Sequence, residues 1–178
     1  PLVQSRMGAA MTRGFQGVDP NHIDAEHAGT CIKHYLAYGA STSGQDRTPA
    51  MVSPRELREK FFPPFKAAIE AGALSVMVSS SSNDGIPFHS NRELLTDWLK
   101  EGLNWDGMIV TDWADAKCLY DRDHTAPTYK DAIAQTLNAG VDMIMEPYDT
   151  LVCRYIMELA EENTVPMERI DDAVRRIL

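Results

Sequence analysis

The chain has 178 residues, 44% of them apolar and 24% charged, and a formal net charge of -9. That is ordinary for a globular domain with its own hydrophobic core. It argues against a nucleic-acid partner, which needs a basic footprint, and no apolar run approaches the ~20 residues of a membrane-spanning helix.

Taken in order, the chain opens Pro1-Leu2-Val3-Gln4, with no initiator methionine and no targeting pattern, so its true start is expected upstream and the compartment is not legible here. His22 and Glu26, four apart on a predicted helix, could share a metal ion. With no third ligand nearby, a solvated face is the simpler reading, and no metal is expected. The first apolar run is Thr30-Cys31-Ile32-Lys33-His34-Tyr35-Leu36, followed by a Gly/Ser/Thr-rich loop over 39–49. Ser53-Pro54-Arg55-Glu56 has the N-cap, first-turn proline and capping-box acid that open a helix. Leu57, Phe61, Phe65, Ala68 and Ile69 continue it at helical spacing. Pro63-Pro64 is expected to kink or split it, and Gly72 to end it.

The second run is Ala73-Leu74-Ser75-Val76-Met77-Val78-Ser79, with a polar loop over 80–89. A helix is predicted over 91–103, with Leu94, Leu95, Trp98 and Leu99 on one face. An Asp106-Gly107 turn leads into Met108-Ile109-Val110 and then Thr111-Asp112-Trp113. A helix over 128–137 closes at Asn138-Ala139-Gly140. The fourth run, Val141 to Met145, precedes two further helices over 150–162 and 166–178. Cys31, Cys118 and Cys153 are scattered and odd in number, which suits packing residues rather than a disulfide framework.

Four strand–helix repeats with near-continuous apolar strands indicate an α/β fold with a parallel sheet. A small doubly wound sheet and part of a TIM (β/α)8 barrel both fit. A complete barrel needs about 250 residues, so the barrel reading makes residues 1–178 a single partial barrel domain. It has about four consecutive parallel βα units, with strands centred near Ile32, Val76, Ile109 and Ile144.

Function in such folds collects at the C-terminal strand ends. Those ends carry Lys33-His34, Ser79-Ser80, Asp112-Trp113 and Glu146. A Lys-His pair, an acid and an indole suit a sugar: polar groups hold hydroxyls and the indole covers a C–H face. Lys33, His34, Met77, Asp112 and Trp113 are expected to converge. Glu146 reads as loop, and Asp115 as a residue that caps or solvates the segment after Asp112. No Gly-x-Gly-x-x-Gly, P-loop or Gly-x-Ser-x-Gly motif is present, so no cofactor is expected. Three functions remain open on the residues: a glycosidase, a non-catalytic carbohydrate-binding module, and a Schiff-base enzyme using Lys33.

Gly107-Met-Ile-Val-Thr-Asp-Trp113 resembles the nucleophile signature of glycoside hydrolase family 3. Cys31-Ile-Lys-His-Tyr35 resembles that family's Lys-His-Phe element. Ser75-Val-Met-Val-Ser79, Asn83-Asp-Gly-Ile-Pro87, Asn138-Ala-Gly-Val-Asp-Met143 and the stretch from Val165 to Leu178 fit its flanking elements in order. The resemblance implies a retaining β-glucosidase-like hydrolase with Asp112 as nucleophile and Lys33 and His34 holding hydroxyls. It implies a small carbohydrate substrate, and a periplasmic or secreted setting. The first barrel strands and the second domain, expected to supply the general acid/base, have no counterpart in these residues, which makes an isolated fragment inactive on this reading. The loop over 39–47 contains no histidine, which favours the glucosidase-type branch over the N-acetylglucosaminidase branch.

Overall fold

The computed structural model describes residues 1–19 and 22–178. Its frame is a three-stranded parallel sheet. Strand β1 (Cys31–Tyr35) pairs with β2 (Ser75–Val78). A short antiparallel hairpin of β3 (Ser82–Asn83) and β4 (Ile86–Pro87) follows β2. Strand β5 (Met108–Val110) then adds to the far side of β2, giving the order β1-β2-β5. Seven α-helices are present among the described residues: α1 (Leu2–Gln16), α2 (Pro54–Glu56), α3 (Phe62–Glu70), α4 (Asp115–Asp121), α5 (Tyr129–Ala139), α6 (Leu151–Glu161) and α7 (Met167–Ile177).

The fourth apolar run is not a full strand. It joins β5 through one parallel bridge, Val110 to Met143. Side chains take over ladder positions on both sides of it. Asp142 Oδ2 accepts the Ile109 N–H at 2.8 Å. Thr111 Oγ1 accepts the Met145 N–H at 2.8 Å. The segment therefore lies parallel to β5 without a regular backbone ladder.

Ser53 caps its helix as the sequence implies, its hydroxyl accepting the Glu56 N–H at 3.2 Å. The expected break at Pro63-Pro64 does not occur, and 54–70 stays helical. A π turn at Leu57–Phe61 precedes the prolines, which sit in the first turn of α3, where a missing N–H is tolerated. A second π stretch covers Glu93–Glu101. His22 and Glu26 lie on no helix, and no group of three metal-type ligands exists among the described residues.

Helix α1 carries an apolar repeat at Val3, Met7, Met11 and Phe15 that is exposed rather than packed. Buried Gln16 ties it to the sheet: its Nε2 donates to the Gly72 carbonyl at 2.6 Å, and its Oε1 accepts the Thr30 N–H at 2.8 Å. Behind the sheet, Tyr35, Val76, Val78 and Ile109 pack with Phe88, Leu95, Trp98 and Leu99 into one core. A second core of Leu119, Ile133, Leu137, Leu159 and Val165 holds α4, α5 and α6 together.

Candidate active site

The site forms where β5 ends. Thr111 and Asp112 are both buried, and Thr111 donates its N–H to the Met143 carbonyl at 3.0 Å, fixing the strand end. The Asp112 N–H donates to His89 Nε2 at 3.2 Å. The Asp112 side chain turns back on its own loop, Oδ1 accepting the Trp113 N–H at 2.6 Å. Arg47 Nη2 approaches the same oxygen at 3.4 Å. His34 Nε2 lies 3.7 Å from Oδ2.

Arg47 comes from the loop after β1, which is clipped by a bridge between Ser41 and Ala50. Its own backbone is left-handed, with φ 58°, a conformation that costs a non-glycine residue on the order of 1 kcal/mol and concentrates at functional sites. Ala114, between Trp113 and Asp115, is left-handed as well, with φ 56°. The His34 ring stacks on Tyr38 at 4.5 Å, and Tyr38 donates to Asp46 beside Arg47. Burial pulls the His34 pKa below its usual value, and Asp112 acts against that pull.

The expected cationic neighbour of Asp112 was Lys33. Arg47 takes that place instead, because β1 leaves Lys33 exposed with no ion pair among the described residues. Lys33 lines a groove of about 990 Å³ with His34, Tyr38, Met11 and Phe65. Met77 alternates with the buried Val76 and Val78 and so lies on the other face of β2, level with Val110. Trp113 is 48% exposed. Its Nε1 donates to the Tyr148 hydroxyl at 2.8 Å, the two rings meeting nearly edge to face. Glu146 is the anchor of that corner, its carboxylate accepting from the Tyr148 N–H at 2.9 Å and the Tyr129 hydroxyl at 3.1 Å.

Beneath Asp112 lie residues that the sequence reading passed over. His89 is fully buried, and its pKa is pushed down to about 3 by burial, with Arg122 and Arg47 adding to the shift. It is therefore neutral. Since Nε2 accepts the Asp112 N–H, Nδ1 carries the proton. Asp115, expected to be a capping or solvated residue, is wholly buried. Arg47 Nη1, Arg122 Nη1 and His89 Nδ1 surround it at 3.8 to 3.9 Å. Arg47 had one legible signal, as the only basic residue in the 39–49 loop. His89 and Asp115 had none beyond residue type.

The Asp112 carboxylate thus lies at a parallel strand end between Arg47, His34 and the Trp113 N–H, the end where α/β folds carry their sites. The chain belongs to glycosyl hydrolase family 3: the family's N-terminal domain matches residues 1–178. A lysosomal beta glucosidase of Dictyostelium discoideum is 43% identical over the whole chain, and a periplasmic beta-glucosidase of Salmonella typhimurium is 35% identical over 98% of it. This chain spans 22% of the length of each. Among solved structures, a beta-glucosidase from Listeria innocua in complex with glucose superposes with a TM-score of 0.89 at 34% identity, covering 97% of this chain and 24% of that one.

Proposed function

We propose that this domain carries the nucleophile of a retaining hydrolase of β-glucosides or related β-glycosides. The observation that carries the reading is the setting of Asp112, with Arg47 and the Trp113 N–H on one oxygen and His34 facing the other. A cation and an N–H donor favour the ionised form. Asp112 Oδ2 attacks the anomeric carbon, the glycosidic C–O bond breaks, and the leaving oxygen takes a proton from a general acid. Water, deprotonated by the same group acting as base, then releases the sugar and regenerates the Asp112 carboxylate. His34 and Lys33 bind hydroxyls, Trp113 covers a sugar face, and Met77 completes the wall. No cofactor or metal takes part in this scheme.

The working enzyme on this reading is a (β/α)8 barrel of which this chain forms about four units, together with a second domain that supplies the acid/base. The chain's 22% share of its relatives' length supports that. A Schiff-base role for Lys33 is disfavoured because the side chain is exposed, whereas such amines are activated by desolvation.

The test uses the longest natural reading frame containing this chain. A 2-deoxy-2-fluoro β-glucoside should label Asp112 covalently, as read by peptide mass. Asp112→Asn should remove both labelling and turnover of an aryl β-glucoside. Label on another carboxylate, with Asp112→Asn still active, sinks the assignment.

A further inference from the structure

Asp115 is the one carboxylate at the site whose role the scheme above leaves open. It is the first residue of α4 and 0% exposed, and no hydrogen bond of ordinary length from the described residues reaches either oxygen. Burial raises its pKa, while the Ser80 hydroxyl, Arg122 and the Cys118 thiol act against that rise, so its neighbours define what it does. Arg122 is already committed to Asp123 through two contacts, at 2.8 and 3.1 Å, and donates to Ser80 Oγ at 3.2 Å. Arg47 reaches both Asp112 and Asp115. His89 sits between the same two residues, Nε2 on the Asp112 N–H and Nδ1 toward Asp115 Oδ2.

Two paths thus run from Asp115 to Asp112. One passes through a shared guanidinium to the carboxylate, the other through a neutral imidazole to the backbone N–H. We propose that Asp115 is a positioning residue for Asp112: its buried carboxylate fixes the tautomer and orientation of His89 and shares Arg47, so that Asp112 is aimed. The proposal rests on the assignment of Asp112 as nucleophile.

The direction of the electrostatic effect follows from the groups facing the pair. These are His34, Tyr38 and Arg47 from the β1 side, with Lys33 and Asp46 beside His34, Ser80 and His89 from the loop after β2, and Cys118, Arg122 and Asp123 on and after α4. Replacing Asp115 with Asn removes the charge that competes for Arg47. Arg47 then pairs with Asp112 alone, which stabilises its carboxylate and makes it a weaker nucleophile. Replacing Arg47 with Gln removes that stabilisation.

The experiment uses full-length enzyme and the fluoro-glucoside as probe. Label position in the wild type is read first, which tests the nucleophile assignment separately. In Asp115→Asn, the first-order labelling rate should fall on the order of tenfold or more while the concentration for half-maximal labelling changes little. The acid limb of kcat/KM should move down by about half a pH unit or more. In Arg47→Gln the rate should also fall, but the acid limb should move up. That residue is partly exposed, so this variant keeps the test intact if Asp115→Asn does not fold. In the double variant the two rate losses should not add, because both act through one guanidinium. Wild-type labelling rate with an unmoved acid limb in Asp115→Asn overturns the proposal. So does a limb unmoved in Arg47→Gln, and so do fully additive losses.

Discussion

Two buried aspartates, Asp115 and Asp142, sit in clusters of arginine and lysine, and the clusters are built to opposite standards. Asp142 is complete. Lys100 Nζ donates to it at 2.6 Å, Arg169 donates to the same oxygen, and the Ile109 N–H occupies the other. Arg169 goes on to the carbonyls of Leu137 and Val141, and Arg176 to those of Trp105 and Gly107. This network pins α7 and the fourth apolar segment to the entry of β5. Asp115, three residues past Asp112, has three donors at 3.8 to 3.9 Å and no hydrogen bond of ordinary length. A satisfied network rigidifies a fold, whereas loosely paired charge is what a site keeps where a substrate must enter. On the proposed function, the Asp142 cluster holds the structure and the Asp112–Asp115 cluster serves the chemistry.

The contrast can be broken in either half. The largest effect is expected at Asp112. Asp112→Asn should cost several powers of ten in kcat, on the order of 5 kcal/mol or more of transition-state stabilisation, since no other group can form the covalent bond. Thermal unfolding of the same protein should be nearly unchanged. Asp142→Ala should do the opposite and destabilise the fold by about 3 kcal/mol, because Lys100 and Arg169 would keep only the partly exposed Asp172 as a counter-charge. Calorimetry on both variants checks the pair. If Asp142→Ala unfolds at the wild-type temperature, the division of labour is wrong.

His89 gives a smaller effect with a definite sign. Its folded pKa lies near 3, below the ordinary 6.5. Between those values the unfolded chain binds a proton that the folded chain refuses, so acidification favours unfolding. The penalty is absent above pH 6.5, and between pH 7 and pH 5 it reaches about 2 kcal/mol. His89→Gln keeps an acceptor for the Asp112 N–H but cannot titrate. The difference in Tm between pH 7 and pH 5 should therefore shrink in this variant. An equal or larger difference would show that His89 is not the buried group responsible.

Parts of the fold and of the site were legible in the sequence, for physical reasons. Apolar runs marked all three strands, and the turn at Gly107 was readable. A Cβ there would sit 2.2 Å from the Trp105 ring and 2.5 Å from the Leu74 carbonyl oxygen, so the glycine is required by close packing. Asp112 and Trp113 were legible because the strand delivers them. Arg47 was marked only as the loop's one basic residue, since the loop that carries it reverses through a left-handed residue and a single bridge, and nothing in the sequence aims it. Asp115 was misread because an acid in the first helical turn ordinarily faces solvent; here α4 starts inside the protein. Helix α1 was missed although Val3, Met7, Met11 and Phe15 recur every four residues along it; in the structure that stripe is exposed. The weak fourth strand has the same kind of cause, since the side chains of Asp142 and Thr111 replace backbone partners.

The smallest expected effect is at the rim of the site, and it sharpens the comparison because it is exposed. Trp113 and Tyr148 form an aromatic corner joined by one hydrogen bond, and Tyr148 is 74% exposed. An exposed hydrogen bond contributes at most about 1 kcal/mol. Tyr148→Phe keeps the ring and removes the bond, so the indole gains freedom but loses no surface. KM for an aryl β-glucoside should rise by roughly two- to fivefold with kcat nearly constant, the signature of binding felt equally in ground and transition states. Trp113→Ala removes the wall itself and should raise KM further, again with the smaller change in kcat. If Tyr148→Phe instead lowered kcat and left KM alone, the corner would be acting on Asp112 through the Trp113 N–H. The boundary between binding rim and chemical core would then lie further out than the indole.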